Sequence, residues 1–280
     1  MEKRILSVMS VLLLLLALTI FAGCTSAGNS GNAGTAAPTA ATPVDTADEK
    51  IFVYSGAGLK GPMSEIGKLF TEKYGNEVEF TFAGSGVLIS QMKTTNLGDV
   101  FIPGGQPDYQ SAVDQGLVQP NPQLVAYHVP VIAVAKGNPL GIKDVTDLAK
   151  SGMRVALGDA NATAIGKAGD KIFTKAGIRD AVEKNVVMRG ATINEVVTAL
   201  ASGNADVALL TKDNAKADKF DIIEIPVADN SILITPIGIT TFTKNPTLAQ
   251  KFADFTASDE GKAIFQKYGF PPYPDPKYTA

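Results

Sequence analysis

Ile51-Phe52-Val53-Tyr54, followed by Ser55-Gly56-Ala57-Gly58-Leu59-Lys60-Gly61-Pro62, is a short apolar strand running into a glycine-rich turn and then into a helix opened by proline. Proline suits the first helical turn because its φ is already helical and its missing N–H would have had no partner there. The same strand, small-residue turn and helix recur along the chain. Ala83-Gly84-Ser85-Gly86, Gly158-Asp159-Ala160-Asn161-Ala162-Thr163-Ala164 and Arg189-Gly190-Ala191-Thr192 each follow a short run rich in Val, Ile or Phe. Strands are expected at 51–54, 77–82, 99–102, 129–135, 154–157, 185–188 and 206–210, with helices at 62–74, 87–94, 109–115, 165–176 and 195–201. Strands alternating with helices of this length indicate βαβ units, hence an α/β fold with a mostly parallel sheet.

These turns lie at the carboxyl ends of strands, where open α/β sheets bind ligands. Helix N-termini carry unpaired N–H groups and a positive dipole end, so several that converge make an anion site without fixed cations. One such loop is ordinary turn chemistry with an N-cap. Four of them, two in each half of the chain, point to a shared ligand. Gly56-Ala57-Gly58-Leu59-Lys60-Gly61 also fits the dinucleotide fingerprint G-x-G-x-x-G. Phe82-Ala83-Gly84 stands where that fingerprint needs an acidic residue, which argues against a nucleotide site.

Upstream, the chain changes character. Glu2, Lys3 and Arg4 precede an apolar run over 5–22, and Phe21-Ala22-Gly23 leads to Cys24, the single cysteine of the 280 residues. This reads as a lipoprotein signal peptide over 1–23 with Cys24 as the lipidated first residue of the mature chain; the other reading is an uncleaved N-terminal anchor. Either places the folded part outside the cytoplasm and beside a membrane. Of the 25 residues at 25–49, 21 are Ala, Thr, Gly, Ser, Pro or Asn. Such a segment buries too little apolar surface to fold, so 24–49 is expected to be a flexible tether reaching about 25–30 Å.

Lys and Arg together number 25 against 28 Asp and Glu, and removing residues 1–49 leaves 23 against 24. A nearly neutral body without a basic run excludes a nucleic-acid surface. One Cys and one His exclude disulfides, Cys-rich metal centres and multi-His metal sites. No carboxylate pair or Ser/His pairing at recognisable spacing suggests hydrolysis, so no enzyme is expected and no cofactor is called for.

The strings Ile51–Leu59, Phe82-Ala83-Gly84-Ser85-Gly86, Gly98-Asp99-Val100-Phe101-Ile102, Val155-Ala156-Leu157-Gly158-Asp159 and Phe265-Gln266-Lys267-Tyr268-Gly269-Phe270 together resemble the molybdate/tungstate-binding proteins of ABC importers. The likeness covers 50–270 and implies a type II periplasmic-binding-protein fold. Two α/β lobes would join by two crossing segments and close on an oxyanion. Lobe one would comprise 50–128 plus 233–280, and lobe two 129–232. The resemblance also implies a monomeric receptor that hands its ligand to an ABC importer permease.

Carried over residue by residue, a second-loop serine falls on Ser85, and a first-loop serine falls on Gly58. There Ser55 or Lys60 would have to supply the missing donor. Backbone-amide positions fall on Ile165 and Ile193, and a tyrosine position falls on Thr211. Some relatives add carboxylates to the metal, for which Asp159 and Glu195 are the nearby candidates. Neutral amides and hydroxyls suit a dianion, since they supply no buried countercharge and no proton. A site with donors alone would leave the hydrogen of hydrogen phosphate unmatched, favouring molybdate, tungstate or sulfate. Alternatives are receptors for sulfate, phosphate or ferric iron, and, less well supported, an enzyme on the same architecture. His128, at the proposed crossing, reads as structural, with hinge involvement as the other reading. Arg189 and Lys60 border the loops as solvated charges. Pro271-Pro272-Tyr273-Pro274 reads as a stiff segment packed on the surface.

Overall fold

The computed structural model describes residues 50–278; the expected signal peptide, Cys24 and the tether lie outside the described residues. The described residues form one compact unit with its own internal cores. Its elements, in chain order, begin β1 (Ile51–Gly56), α1 (Lys60–Tyr74), β2 (Val78–Ala83), α2 (Ser85–Thr95), β3 (Val100–Ile102), α3 (Gln106–Asp114) and β4 (Gln123–His128). The chain then enters β5 (Pro130–Ala135), β6 (Val155–Gly158), α4 (Ala164–Lys175), α5 (Arg179–Glu183), β7 (Val186–Gly190), α6 (Ile193–Ala201), β8 (Val207–Thr211) and β9 (Phe220–Glu224). It returns through β10 (Leu233–Ile239), α7 (Pro246–Ala257) and α8 (Asp259–Lys267).

Two five-stranded sheets result, ordered β2-β1-β3-β10-β4 and β7-β6-β8-β5-β9. The fold is α/β in two lobes, but the sheets are mixed rather than mostly parallel. β10 runs antiparallel to both β3 and β4, and β5 runs antiparallel to both β8 and β9. The difference has a topological cause. These are the strands on which the chain passes between lobes, and passing from the edge of one sheet straight into the next needs no helical crossover. Apolar runs at 123–128, 220–224 and 233–239 were not expected as strands. β10 carries Pro236, which lacks a ladder N–H, and the pairing slips there between Thr235 and Pro236.

The period of two in the strands divides the core of lobe one. Ile51, Val53, Val100 and Ile102 point to one face with Met63, Phe70, Phe252 and Phe265 from α1, α7 and α8. Phe52, Tyr54 and Phe101 point to the other, against Leu88, Ile89 and Met92 of α2 and Tyr109 of α3. Lobe two has a single core, in which β5 and β8 meet Ile165, Ile172 and Phe173 of α4 and Val196 and Leu200 of α6. Each fully buried phenylalanine contributes about 1.5–3 kcal/mol relative to exposure.

The two crossings are short. His128 ends β4 and Pro130 starts β5, with Lys212 N–H donating to Val129 O at 2.9 Å. The return segment is held by Asn230, whose side-chain amide donates to Pro130 O at 2.9 Å. The C-terminal segment lies along β4. Tyr127 N–H donates to Pro271 O at 2.8 Å, and Tyr273 N–H donates to Val125 O at 3.0 Å. Tyr278 then reaches the face formed by Lys212 and Glu224 of lobe two.

Candidate functional site

The carboxyl ends of β1, β2, β6, β7 and β8 meet at one cleft between the lobes. It has a volume of about 30 Å³. One water needs about 10–15 Å³, so the enclosed space is on the scale of a small ion. Gly58, Gly84, Ser85 and Gly104 form the lobe-one wall, and Thr163, Ile165, Thr192, Ile193 and Thr211 form the lobe-two wall.

The lobes touch through main chain. Gly86 N–H donates to Ala162 O across the cleft at 3.0 Å. A Cβ on Gly84 would lie 2.3 Å from Ala191 O, and one on Gly86 would lie 2.1 Å from Asn161 O. Only glycine permits this approach.

The walls differ in how their helices begin. The caps of α1 and α2, Leu59 and Gly84, make no side-chain cap hydrogen bond. In lobe two, Thr163 Oγ1 accepts from Gly166 N–H at 3.1 Å, and Thr192 Oγ1 accepts from Glu195 N–H at 3.3 Å. Each threonine cap takes the third amide of its helix. The first two amides of each helix have no intrahelical acceptor, and those of Ala164 and Ile165 in α4 and of Ile193 in α6 belong to residues that line the cleft.

Ser85 sits at the start of α2, 3% exposed. Its hydroxyl oxygen accepts from Gly104 N–H at 3.1 Å, so its own hydrogen can be donated elsewhere. Beside it Asp108 of α3 pairs across the cleft with Lys167 of α4. Burial pushes the Asp108 carboxyl above the usual carboxylate range, against the opposing pull of Lys167 and, more weakly, of the Ser85 hydroxyl.

The cleft brings together Gly58, Ser85, Ile165, Ile193 and Thr211. Thr211 lines it, but its hydroxyl donates to Asp213 Oδ2 at 3.1 Å and accepts from Asn214 Nδ2 at 3.0 Å. Ser55 lies behind the wall, fully buried, its hydroxyl 3.5 Å from Gly56 O, and Lys60 is exposed. Neither supplies a donor beside Gly58. Asp159 accepts from the N–H groups of Asn161 and Ala162, at 2.7 and 3.1 Å. Glu195 accepts from Ala191 N–H and Thr192 Oγ1, both at 3.0 Å. Both carboxylates brace loops outside the cleft lining, and Arg189 pairs with Glu183. Among the described residues no group of three or more His, Cys, Asp or Glu is placed to hold a metal ion.

Sequence reasoning did not single out Gly104 or Thr163 for the site, and it read His128 as structural, with hinge involvement as the other reading. That ring is 5% exposed, lines the cleft, and stacks on Phe270 with centroids 4.9 Å apart. Its Nε2 lies 3.4 Å from Asp213 Oδ2. The position at the end of β4, directly before the crossing, was the available signal. An imidazole can present either a hydrogen or a lone pair. The wall is therefore not built of donors alone, and the argument against hydrogen phosphate loses its premise.

The sequence profile of the bacterial extracellular solute-binding proteins matches residues 51–271. A Haemophilus influenzae protein named only as a candidate binding protein is 31% identical, the match covering 82% of this chain and 93% of that one. The molybdate-binding protein ModA of Mycobacterium bovis is 28% identical, over 79% of this chain and 84% of its own. A candidate ABC transporter substrate-binding lipoprotein of Bacillus subtilis, YvgL, is 26% identical over 78% and 85%. Two solved structures share the fold. The sulfate-binding protein SubI from Mycobacterium tuberculosis has a TM-score of 0.72 at 17% identity, covering 82% of this chain and 89% of its own. The periplasmic molybdate-binding protein of Azotobacter vinelandii has a TM-score of 0.69 at 20% identity, covering 79% and 99%.

Proposed function

The chain belongs to the bacterial extracellular solute-binding proteins, and from that premise we propose that it captures a tetrahedral oxyanion, molybdate or tungstate, between its lobes and delivers it to an ABC importer. The observation that carries this is the 30 Å³ cleft where uncommitted first-turn amides of α4 and α6 meet the uncapped helix starts of lobe one and the Ser85 hydroxyl. Fixed dipoles of this kind stabilise an anion at a helix start. Gly58, Ser85, Ile165 and Ile193 form the ligand shell, with Thr211 as its floor rather than as a donor. The ModA likeness supports the group-6 anion, and the likeness to YvgL supports delivery to an ABC importer.

Cys24 carries the lipid that ties the protein to the outer face of a membrane through the segment at 24–49, and the receptor acts as a monomer. The residue pattern Phe21-Ala22-Gly23-Cys24 supports the lipid, as does the description of YvgL as a lipoprotein. Titration calorimetry of residues 44–280 with molybdate, tungstate, sulfate and phosphate tests the ligand. Heat with molybdate or tungstate, exceeding that with the other two at equal concentration, is the expected result. No heat with either group-6 anion overturns it.

A further inference from the structure

Five side chains around the cleft carry a polar hydrogen: Ser85, His128, Thr163, Thr192 and Thr211. The three threonine hydrogens are already donated. Thr163 gives its hydrogen to Asp159 O at 2.8 Å, Thr192 to Glu195 Oε1 at 3.0 Å and Thr211 to Asp213 Oδ2 at 3.1 Å. Asn214, which approaches Gly58, spends its side-chain amide on Thr211 and Asp213. The Ser85 hydroxyl also faces the carboxyl of Asp108, which competes for its hydrogen, and His128 remains.

The ring of His128 is oriented by its surroundings. Its Nε2 is buried without a hydrogen bond, 3.4 Å from Asp213 Oδ2. The opposite edge faces the cleft wall: a Cβ on Gly58 would lie 3.6 Å from Cε1, and one on Gly104 would lie 3.7 Å from Nδ1. Phe270 stacks on the ring face. Asp213, with Thr211 and Asn214 bonded to it, is the charged group against the ring, and Phe270, Gly58 and Gly104 are neutral. A carboxylate can only accept, so Nε2 must carry a hydrogen to bond Asp213, and an anion at the cleft requires one on Nδ1 as well.

We infer, on the oxyanion reading above, that His128 is a ligand-binding residue whose ring bridges Asp213 and the anion, giving the N–H of Nε2 to the carboxylate and the N–H of Nδ1 to the ligand. The imidazole fills the place beside Gly58 where neither Ser55 nor Lys60 reaches. With an acceptor on each side, the ring serves the site as a donor held between Asp213 and the ligand.

The chain has one histidine, so its two ring nitrogens report this contact without assignment by mutagenesis. Residues 44–280, labelled with 15N-histidine and free of any histidine tag, are titrated with molybdate, tungstate, sulfate and phosphate while calorimetry records binding. With the anion that binds, both ring resonances are expected to move to the signature of a doubly protonated imidazole. His128→Ala should weaken binding at least tenfold. His128→Asn, which keeps an N–H near the Nδ1 position, should restore part of it, and His128→Gln should not. Binding with unmoved ring nitrogens, or His128→Ala binding as tightly as the parent, overturns this role while leaving the oxyanion reading intact. If no oxyanion binds, both fall together. Should His128→Ala fail to fold, the resonances of the unmutated protein decide alone.

Discussion

Lobe one and lobe two have the same strand pattern, three parallel strands followed by two added through antiparallel pairings, yet they meet the cleft in different ways. Lobe one enters α1 from Leu59 and α2 from Gly84, with no side chain satisfying the first turn of either. Lobe two enters α4 and α6 through threonine caps that are themselves tied back by Asp159 O and Glu195. One wall is stiffened by its own side chains and the other is stripped of them. The difference teaches that close approach and preorganisation are divided between the lobes. A glycine wall lets main chain meet main chain, and a capped wall keeps its amides aimed while that happens.

The strongest way to break this comparison is Gly86→Ala. Alanine is the better helix former, so the lobe should fold, but its Cβ would lie 2.1 Å from Asn161 O. Oxyanion affinity should fall at least about 100-fold, near 2.7 kcal/mol, with the melting temperature held. Unaltered affinity in calorimetry would mean that closure does not bring these segments together.

Ser85→Ala comes next. It deletes the one hydroxyl on the glycine wall, and binding should weaken by about 1–3 kcal/mol, the cost of leaving a buried acceptor unmatched. Thr192→Ala probes the capped wall instead. It should cost about 1 kcal/mol of stability, read as a melting temperature about 2–4 °C lower, while affinity changes by less than about threefold. Equal losses of affinity in the Ser85 and Thr192 variants would erase the distinction between the walls.

The smallest effect concerns Asp108, which joins the walls through Lys167. Its carboxyl is raised by burial, so the folded protein holds that proton more tightly than the unfolded chain does. The contribution to stability is complete below the ordinary carboxylate value of about 3.9 and is lost as pH rises from there through the raised folded value. Asp147, Asp206 and Glu224 are shifted down and act in the opposite direction. The measurement is therefore a difference: denaturant melts of the parent minus Asp108→Asn should show a negative slope with rising pH in that window, and a flat difference would count against the burial.

Much of the fold was legible because short Val/Ile/Phe runs before Gly, Ser or Thr turns are local signals, and α1, α2, α4 and α6 begin within about two residues of where those turns predict. β10 was hidden because its proline and glycine, Pro236 and Gly238, are poor strand residues, tolerated where the ladder slips and where Tyr109 packs against the glycine. α7 and α8 went unexpected although Asn245 and Ser258 cap them. At the site, the loops could be read but the commitments of individual hydrogens could not. That the Thr211 hydroxyl is given to Asp213, and that His128 turns an edge to the cleft, depend on residues brought together from β4, β8 and the tail of the chain. Sequence spacing carries no such information.

The order of strands also sets an order of assembly. All five strands of the second sheet lie within one continuous stretch of chain, whereas the first sheet has β10 between β3 and β4 and takes it from more than a hundred residues further on. As the polypeptide emerges N-terminus first, the lobe that begins first must wait with two unpaired strand edges until Leu233–Ile239 arrives, followed by α7, α8 and the tail along β4. Exposed edges of this kind are where chains aggregate. The chain is therefore most vulnerable late in its synthesis, after the inserted lobe is complete and before the outer one has closed its sheet.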